Sequence, residues 1–293
     1  MTMSTPHDID QRPITIIGGG TLGRRIALMF LTRGGVVRIN DTDESVLEAA
    51  RAFIDEQLPG WLEVRAQADD APDDVAAGTV ETTTDMKEAV KDSWLIVEAV
   101  PEVPELKRTI LGQLDAAAAD DAIVATNSSS YRSDLLIDNV TAPERVMNMH
   151  FQMPPQALAV ELMTDGQTDE DLLDVAAAQL KTYGLFPFIA RKPSTGLIAN
   201  RIWAAIKRES LAVVAEGVAT PQDVDQLFKI MLHTAFGPFE MMDKVGLDVV
   251  LAIEENYVSE NPNLPEGPRE LLHRYIDAGK LGEKSGEGFY EHS

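Results

Sequence analysis

Residues 14–41 read ITIIGGGTLGRRIALMFLTRGGVVRIND, with Gly18, Gly19, Gly20 and Gly23 packed into one short turn. The segments on either side give the glycines their meaning. Ile14 to Ile17 is β-branched throughout, the mark of a buried strand. From Arg24 to Thr32, Ile26, Leu28, Met29, Phe30 and Leu31 supply the apolar face of a helix, which Gly34-Gly35 ends. Val36 to Ile39 reads as a second strand, and Asp41 closes it. The segment therefore predicts strand, G-x-G-x-x-G turn, helix, strand and acid in register. Gly18 permits the tight turn, Gly20 lets a pyrophosphate approach the backbone, and Gly23 lets the helix pack on the strand. The helix N-terminus would face the phosphates with free N–H groups. Asp41 would accept from the adenosine ribose hydroxyls, which favours NAD over NADP, because a 2′-phosphate would be repelled. Arg38 lies inside the strand and carries little weight as a 2′-phosphate ligand.

Outward from this unit, strands and helices alternate. Helices are expected over 46–62, from Asp85 as N-cap to 91, and over 105–119. Strands are expected at 80–82, 94–100, 121–126, 145–150, 159–163 and 187–190. The acidic, Pro-containing 67–78 reads as an exposed loop or hairpin tip. Lys192-Pro193-Ser194-Thr195-Gly196 breaks the pattern. The remainder of the chain is mostly helical, with a Thr220-x-x-Asp223 capping box before a helix from Pro221. The expected fold is α/β: a Rossmann-type doubly wound parallel sheet over residues 1–191, then an all-α C-terminal domain over 192–293.

The 293 residues hold 48 acidic and 25 basic side chains, for a formal charge of −23. Such a surface repels nucleic acid and anionic membranes, so neither is an expected partner. No apolar run approaches the roughly 18 residues of a membrane span. The opening MTMSTPHDIDQRP lacks the basic start and apolar centre of a signal peptide, and the chain has no cysteine. Disulfides and thiolate metal sites are excluded, no metal is expected, and a cytoplasmic location fits.

Four places carry polar groups where a doubly wound sheet puts chemistry. Asn127-Ser128-Ser129-Ser130 follows a strand, and His150 ends VMNMH. Glu161 interrupts ALAVELM, and Asn200 lies in LIANRIW. Each alone has a structural explanation as cap, core or edge. Together they form the set that alcohol oxidation needs: a base near neutrality, a carboxylate to fix its tautomer, and donors for the substrate oxygen.

With IIGGGTLG, WLIVEAVPEVPELKR, ATNSSS, MHF, AVELM, GLIANR, GPFEMMDKVGLD and KLGEKSGEGFY in this order, the chain resembles the L-3-hydroxyacyl-CoA dehydrogenase family over nearly its whole length. VKDSWLIVEAVPE, ATNSSS and YIDAGKLG also resemble diketoreductase members of that superfamily, which reduce β-diketo esters. The resemblance implies His150 as base, Glu161 as its partner, Ser129 near the substrate oxygen and nicotinamide, and Asn200 completing the site from the helical domain. It implies NAD contacts from Glu102, Lys107 and Lys284, a homodimer built through the helical domain, and a small 3-hydroxy or 3-keto substrate. Two departures stand out. HFQMPP puts Met153 where the family usually carries an asparagine that touches the cofactor, and the interval to Glu161 is one residue shorter. Gln57 and Val64 occupy the positions where CoA-using members carry a serine and a lysine, with Arg65 one position off as a substitute. An acyl-CoA substrate and a non-CoA 3-keto or diketo ester or acid thus both stay open. A non-catalytic, crystallin-like structural protein on the same fold is the alternative of another class.

Overall fold

The computed structural model describes residues 5–68 and 75–292. The tip of the expected acidic loop, 69–74, lies outside the described residues. The chain divides into two compact units, one ending at Leu197 and one beginning at Ile198. The compositional break at Lys192 comes earlier, because the connector stays with the sheet: Leu197 is buried with Met163 and Ala190.

The first unit alternates β1 (Ile14–Ile17), α1 (Thr21–Phe30), β2 (Val36–Asn40), α2 (Glu44–Ala66), β3 (Thr79–Thr83) and α3 (Met86–Val90). It continues through β4 (Leu95–Glu98), α4 (Pro104–Ala117), β5 (Ile123–Thr126), β6 (Val146–Met153), β7 (Ala157–Thr164), α5 (Glu170–Thr182) and β8 (Phe186–Ala190). Among the described residues these strands form one eight-stranded sheet ordered β3-β2-β1-β4-β5-β6-β7-β8. The central strands are apolar without alternation because helices cover both faces. Ile16, Val97 and Ala125 pack in one core with α1, α2 and α5. Their neighbours Ile17, Ile96 and Val124 pack in the other with α3 and α4.

The sheet is parallel from β3 to β6, as expected, but β7 runs antiparallel to β6. The connection between them is too short for a crossover helix, so the chain can only double back as a hairpin. Helix α5, not anticipated from the sequence, then provides the crossover to β8, which is parallel to β7. Asp85 caps α3 by accepting from the N–H groups of Lys87 and Glu88, as its position predicts.

The second unit contains α6 (Ala199–Ala215), α7 (Pro221–Leu232), α8 (Pro238–Val245), α9 (Leu247–Glu260) and α10 (Gly267–Asp277) around Leu211, Phe239, Met242, Leu247, Leu272 and Phe289. Its most family-like phrases are structural. Asp243, from GPFEMMD, is fully buried and accepts from the backbone N–H groups of Phe289 and Tyr290, from SGEGFY, both at 2.9 Å. The expected Thr220 box is half made: Thr220 accepts from the Asp223 N–H, but the Asp223 carboxylate takes the Thr220 hydroxyl instead of reaching back to the backbone. No helix among the described residues is long and apolar enough to cross a membrane.

Candidate active site

The glycine turn sits at the carboxyl end of β1. Gly18 has φ +104°, and a Cβ there would meet the Ala99 carbonyl oxygen at 2.7 Å. A Cβ on Gly23 would stand 1.8 Å from the Gly18 carbonyl oxygen, so only glycine lets α1 come this close. An added Cβ on Gly20 meets nothing within 4 Å, so this position opens to whatever approaches the turn. No side chain caps the N-terminus of α1, which leaves its first N–H groups available to an anion. Asp41 Oδ2 accepts from the Gly19 N–H at 2.8 Å, which holds the carboxylate over the turn. Arg38 is taken up by Glu81 at 3.0 Å. An open glycine, an uncapped helix start and an acid at the end of β2 fit a dinucleotide.

At the same end of the sheet, β6 and β7 pair with His150 directly opposite Glu161. Cross-strand neighbours lie within about 4.5–5.5 Å at Cβ, so register alone brings the two side chains together. His150 Nδ1 lies 3.2 Å from Glu161 Oε2, and both side chains are buried. A carboxylate only accepts, so Nδ1 carries the proton and Nε2 is left as the basic nitrogen. Asn127 Oδ1 accepts from the Phe151 N–H at 2.9 Å, which ties the end of β5 to the strand bearing the histidine.

A cavity of about 340 Å³ adjoins this pair, lined by Leu22, Glu102, Lys107, Ser129, His150 and Gln152 among others. Ser128, not Ser129, is tied to Glu102: its hydroxyl donates to Oε1 at 2.5 Å. Burial raises the Glu102 carboxyl, but the Ser128 hydroxyl, the Lys107 ammonium and the Ser130 N–H outweigh it and hold the group below its ordinary value. Lys107 is almost completely buried. It donates to Glu98 Oε1 at 2.8 Å and to the Val100 carbonyl at 3.2 Å, and stands 3.2 Å from Glu102 Oε2. Its three donors are thereby occupied. What it offers the cavity is a charge that orients Glu102.

Sequence reasoning missed Glu98, which is fully buried and also accepts from the Thr126 hydroxyl at 2.6 Å. The signal is present in the chain: a carboxylate inside the apolar WLIVEAV, the same signal that singles out Glu161. The structure thus brings Ser129, His150, Glu161, Glu102 and Lys107 to one end of the sheet. Asn200 and Lys284 belong to the helical unit, where Asn200 lies in the first turn of α6 and Lys284 pairs with Asp248 at 2.5 Å.

The doubly wound sheet with this turn defines a dinucleotide-binding fold, and the His150–Glu161 pair beside its cavity suits oxidoreductase chemistry. Two family models divide the chain between them: the NAD-binding domain of 3-hydroxyacyl-CoA dehydrogenase over residues 13–192 and the C-terminal domain of the same enzyme over 196–292. The chain belongs to the 3-hydroxyacyl-CoA dehydrogenase family. A probable 3-hydroxybutyryl-CoA dehydrogenase of Deinococcus radiodurans is 31% identical over 278 residues, covering 94% of this chain and 99% of that protein. The crystal structure of (S)-3-hydroxybutyryl-CoA dehydrogenase from Ralstonia eutropha superposes with a TM-score of 0.83 at 28% identity, covering 97% of this chain and 99% of that one. A diketoreductase structure superposes with a TM-score of 0.76 at 27% identity, covering 96% and 99%.

Proposed function

We propose that this enzyme interconverts an L-3-hydroxyacyl and a 3-ketoacyl thioester of coenzyme A. The observation that carries this reading is the in-register His150–Glu161 pair beside a cavity that Ser129 also lines. NAD, when bound, would supply the acceptor for the hydride of the carbinol carbon. His150 Nε2 accepts the hydroxyl proton, and Glu161 holds the opposite ring nitrogen and stabilises the imidazolium. The Ser129 hydroxyl would donate to the substrate oxygen, and the family resemblance adds Asn200 to the set. The turn that Gly18 and Gly23 permit would seat the pyrophosphate at Gly20, and Asp41 would accept from the adenosine ribose; Glu102 and Lys107 would contribute to the cofactor site, and the family resemblance adds Lys284 to the set. NADH consumption with acetoacetyl-CoA tests the reading, and failure of every 3-keto substrate to consume NADH would overturn it.

A second reading, a reductase of non-CoA 3-keto or diketo esters or acids, draws support from α2. Gln57 is exposed, Val64 is 54% exposed, and Arg65 is buried against Gly184, so it cannot substitute as a surface phosphate ligand. The thioester reading gains a cation from elsewhere. Arg24 and Arg25 on α1 both stack on Phe53, at 4.7 and 5.3 Å from the ring centroid, one helical turn before Gln57. The Arg24 Nε has no hydrogen-bond partner among the described residues. Arg25 is already held by the Pro154 carbonyl at 3.1 Å and by Gln156 Oε1 at 2.9 Å, so we assign Arg24 alone to the phosphates of the carrier.

A homodimer through the helical unit is part of the same reading. Leu227, Ile230 and Met231 on α7 are each about 60% exposed, an apolar face suited to a second copy. Light scattering should return twice the 32.0 kDa chain mass.

A further inference from the structure

Glu161 Oε2 receives more than the histidine. The Gln152 side-chain amide donates to the same oxygen at 3.1 Å. An acceptor-only carboxylate fixes which way this amide points: its NH₂ must face Glu161. His150 and Gln152 are two apart on β6 and so share a face of the strand, whereas Phe151 between them turns into the core against Phe30. The pairing of β6 with β7 slips just past this point, between Phe151 and Met153. That irregularity frees Gln152 from straight cross-strand pairing and lets its side chain lean back to Glu161. Gln152 also lines the cavity that His150 lines.

We propose that Gln152 is a positioning residue of the base: its amide and the His150 ring share Glu161 Oε2, making a three-membered His–Glu–Gln array. The proposal rests on the His150 reading above. The array has two effects. A second donor pins the carboxylate rotamer, so the imidazole is aimed at the cavity before substrate arrives. The shared oxygen also divides its charge between two donors. Removing the glutamine donor would therefore concentrate the carboxylate's charge on the ring. Other charges facing the site do not take over this role. Glu102 and Lys107 line the same cavity but are paired with each other, and Lys107 is further held by buried Glu98. From β8, Phe188 stands opposite Glu161 and is uncharged. From β5, Asn127 is likewise neutral.

The test is the pH profile of kcat/KM for hydroxyacyl oxidation in wild type, Gln152→Leu and Gln152→Glu. Leucine keeps the volume and removes the donor, so the acid limb should move up by about half to one pH unit. Glutamate adds a like charge beside Glu161 and should move it further. At neutral pH, Gln152→Leu should lose about three- to tenfold in kcat while the KM for NAD stays unchanged. A merely structural glutamine would alter stability or both kinetic constants and leave the acid limb in place; that result overturns the proposal. Should the leucine variant fold poorly, an NMR titration of the His150 ring in Gln152→Glu answers the same question: an unmoved midpoint overturns the proposal. His150→Ala run alongside separates the two failures. If that variant keeps normal turnover, the base assignment itself is wrong. If it is inactive and the Gln152 profiles coincide with wild type, only the glutamine assignment falls.

Discussion

Lys107 Nζ lies 2.8 Å from Glu98 Oε1, with both side chains shut away from solvent. Removing one partner leaves a buried charge uncompensated. Lys107→Met should therefore lower the unfolding free energy by about 3–5 kcal/mol, and Lys107→Met with Glu98→Gln should recover part of it. Urea titration of the two variants checks this. A loss below about 1 kcal/mol for the single change would mean that water reaches Glu98.

Cofactor choice follows from Asp41. The enzyme should prefer NAD(H) over NADP(H) by at least about tenfold, roughly 1.4 kcal/mol. Asp41→Ala should narrow the gap and also loosen the turn, because Asp41 Oδ2 holds the Gly19 N–H. Equal kcat/KM with the two cofactors in the wild type would refute the ribose assignment.

His150→Ala should cut kcat by about 10²–10⁴-fold with NADH affinity nearly intact, the usual range for losing a general base. Glu161→Gln should cost less, since the ring remains and only its orientation and charge support are lost. Single-turnover kinetics with NADH binding measured in parallel separates chemistry from cofactor affinity.

The acyl carrier can be read from two opposite changes. Arg24→Ala should raise the KM for acetoacetyl-CoA by about tenfold and leave ethyl acetoacetate unaffected, as expected when a charge-assisted contact is removed. Val64→Lys should improve the thioester selectively, by roughly 1–2 kcal/mol, by adding a cation near the same helix. Equal efficiency with thioester and ester, unchanged by either substitution, would move the enzyme to the non-CoA class.

Acid stability should depend on Asp115. Burial raises this carboxyl, but hydrogen bonds from Thr141 and the Arg145 pair, with Nη2 at 2.9 Å, bring it below its ordinary value. A carboxyl depressed in the folded state stabilises above its unfolded value, near pH 4, and that contribution is lost as the pH falls through the folded one. Asp115→Asn should be less stable than wild type at pH 7, and the difference should shrink below about pH 4. A constant difference across that range would show that the aspartate acts by packing alone.

Much of this molecule is legible in the chain itself. The strand–turn–helix–strand of 14–41 needs mainly local steric facts: glycine at 23, where a Cβ would strike the Gly18 carbonyl, and β-branched runs that form buried strands. His150 and Glu161 stand out as polar residues in apolar strands for the same reason, since a buried polar group must have a partner to exist there. Periodicity also corrects the surface role expected of Arg65: it continues the inward stripe of Leu47, Ala50, Ile54, Leu58 and Trp61 on α2, which aims it at the core. What tertiary structure decided is who meets whom. The short link between β6 and β7 already requires the chain to reverse there, but the register that sets Glu161 opposite His150 appears only when the sheet assembles. The slip past Phe151 that frees Gln152, the meeting of Glu98 with Lys107 and the stacking of α1 arginines on an α2 phenylalanine share that origin. Periodicity encodes which face a residue shows, whereas the partner on that face is set by packing between elements that carry no mark of each other.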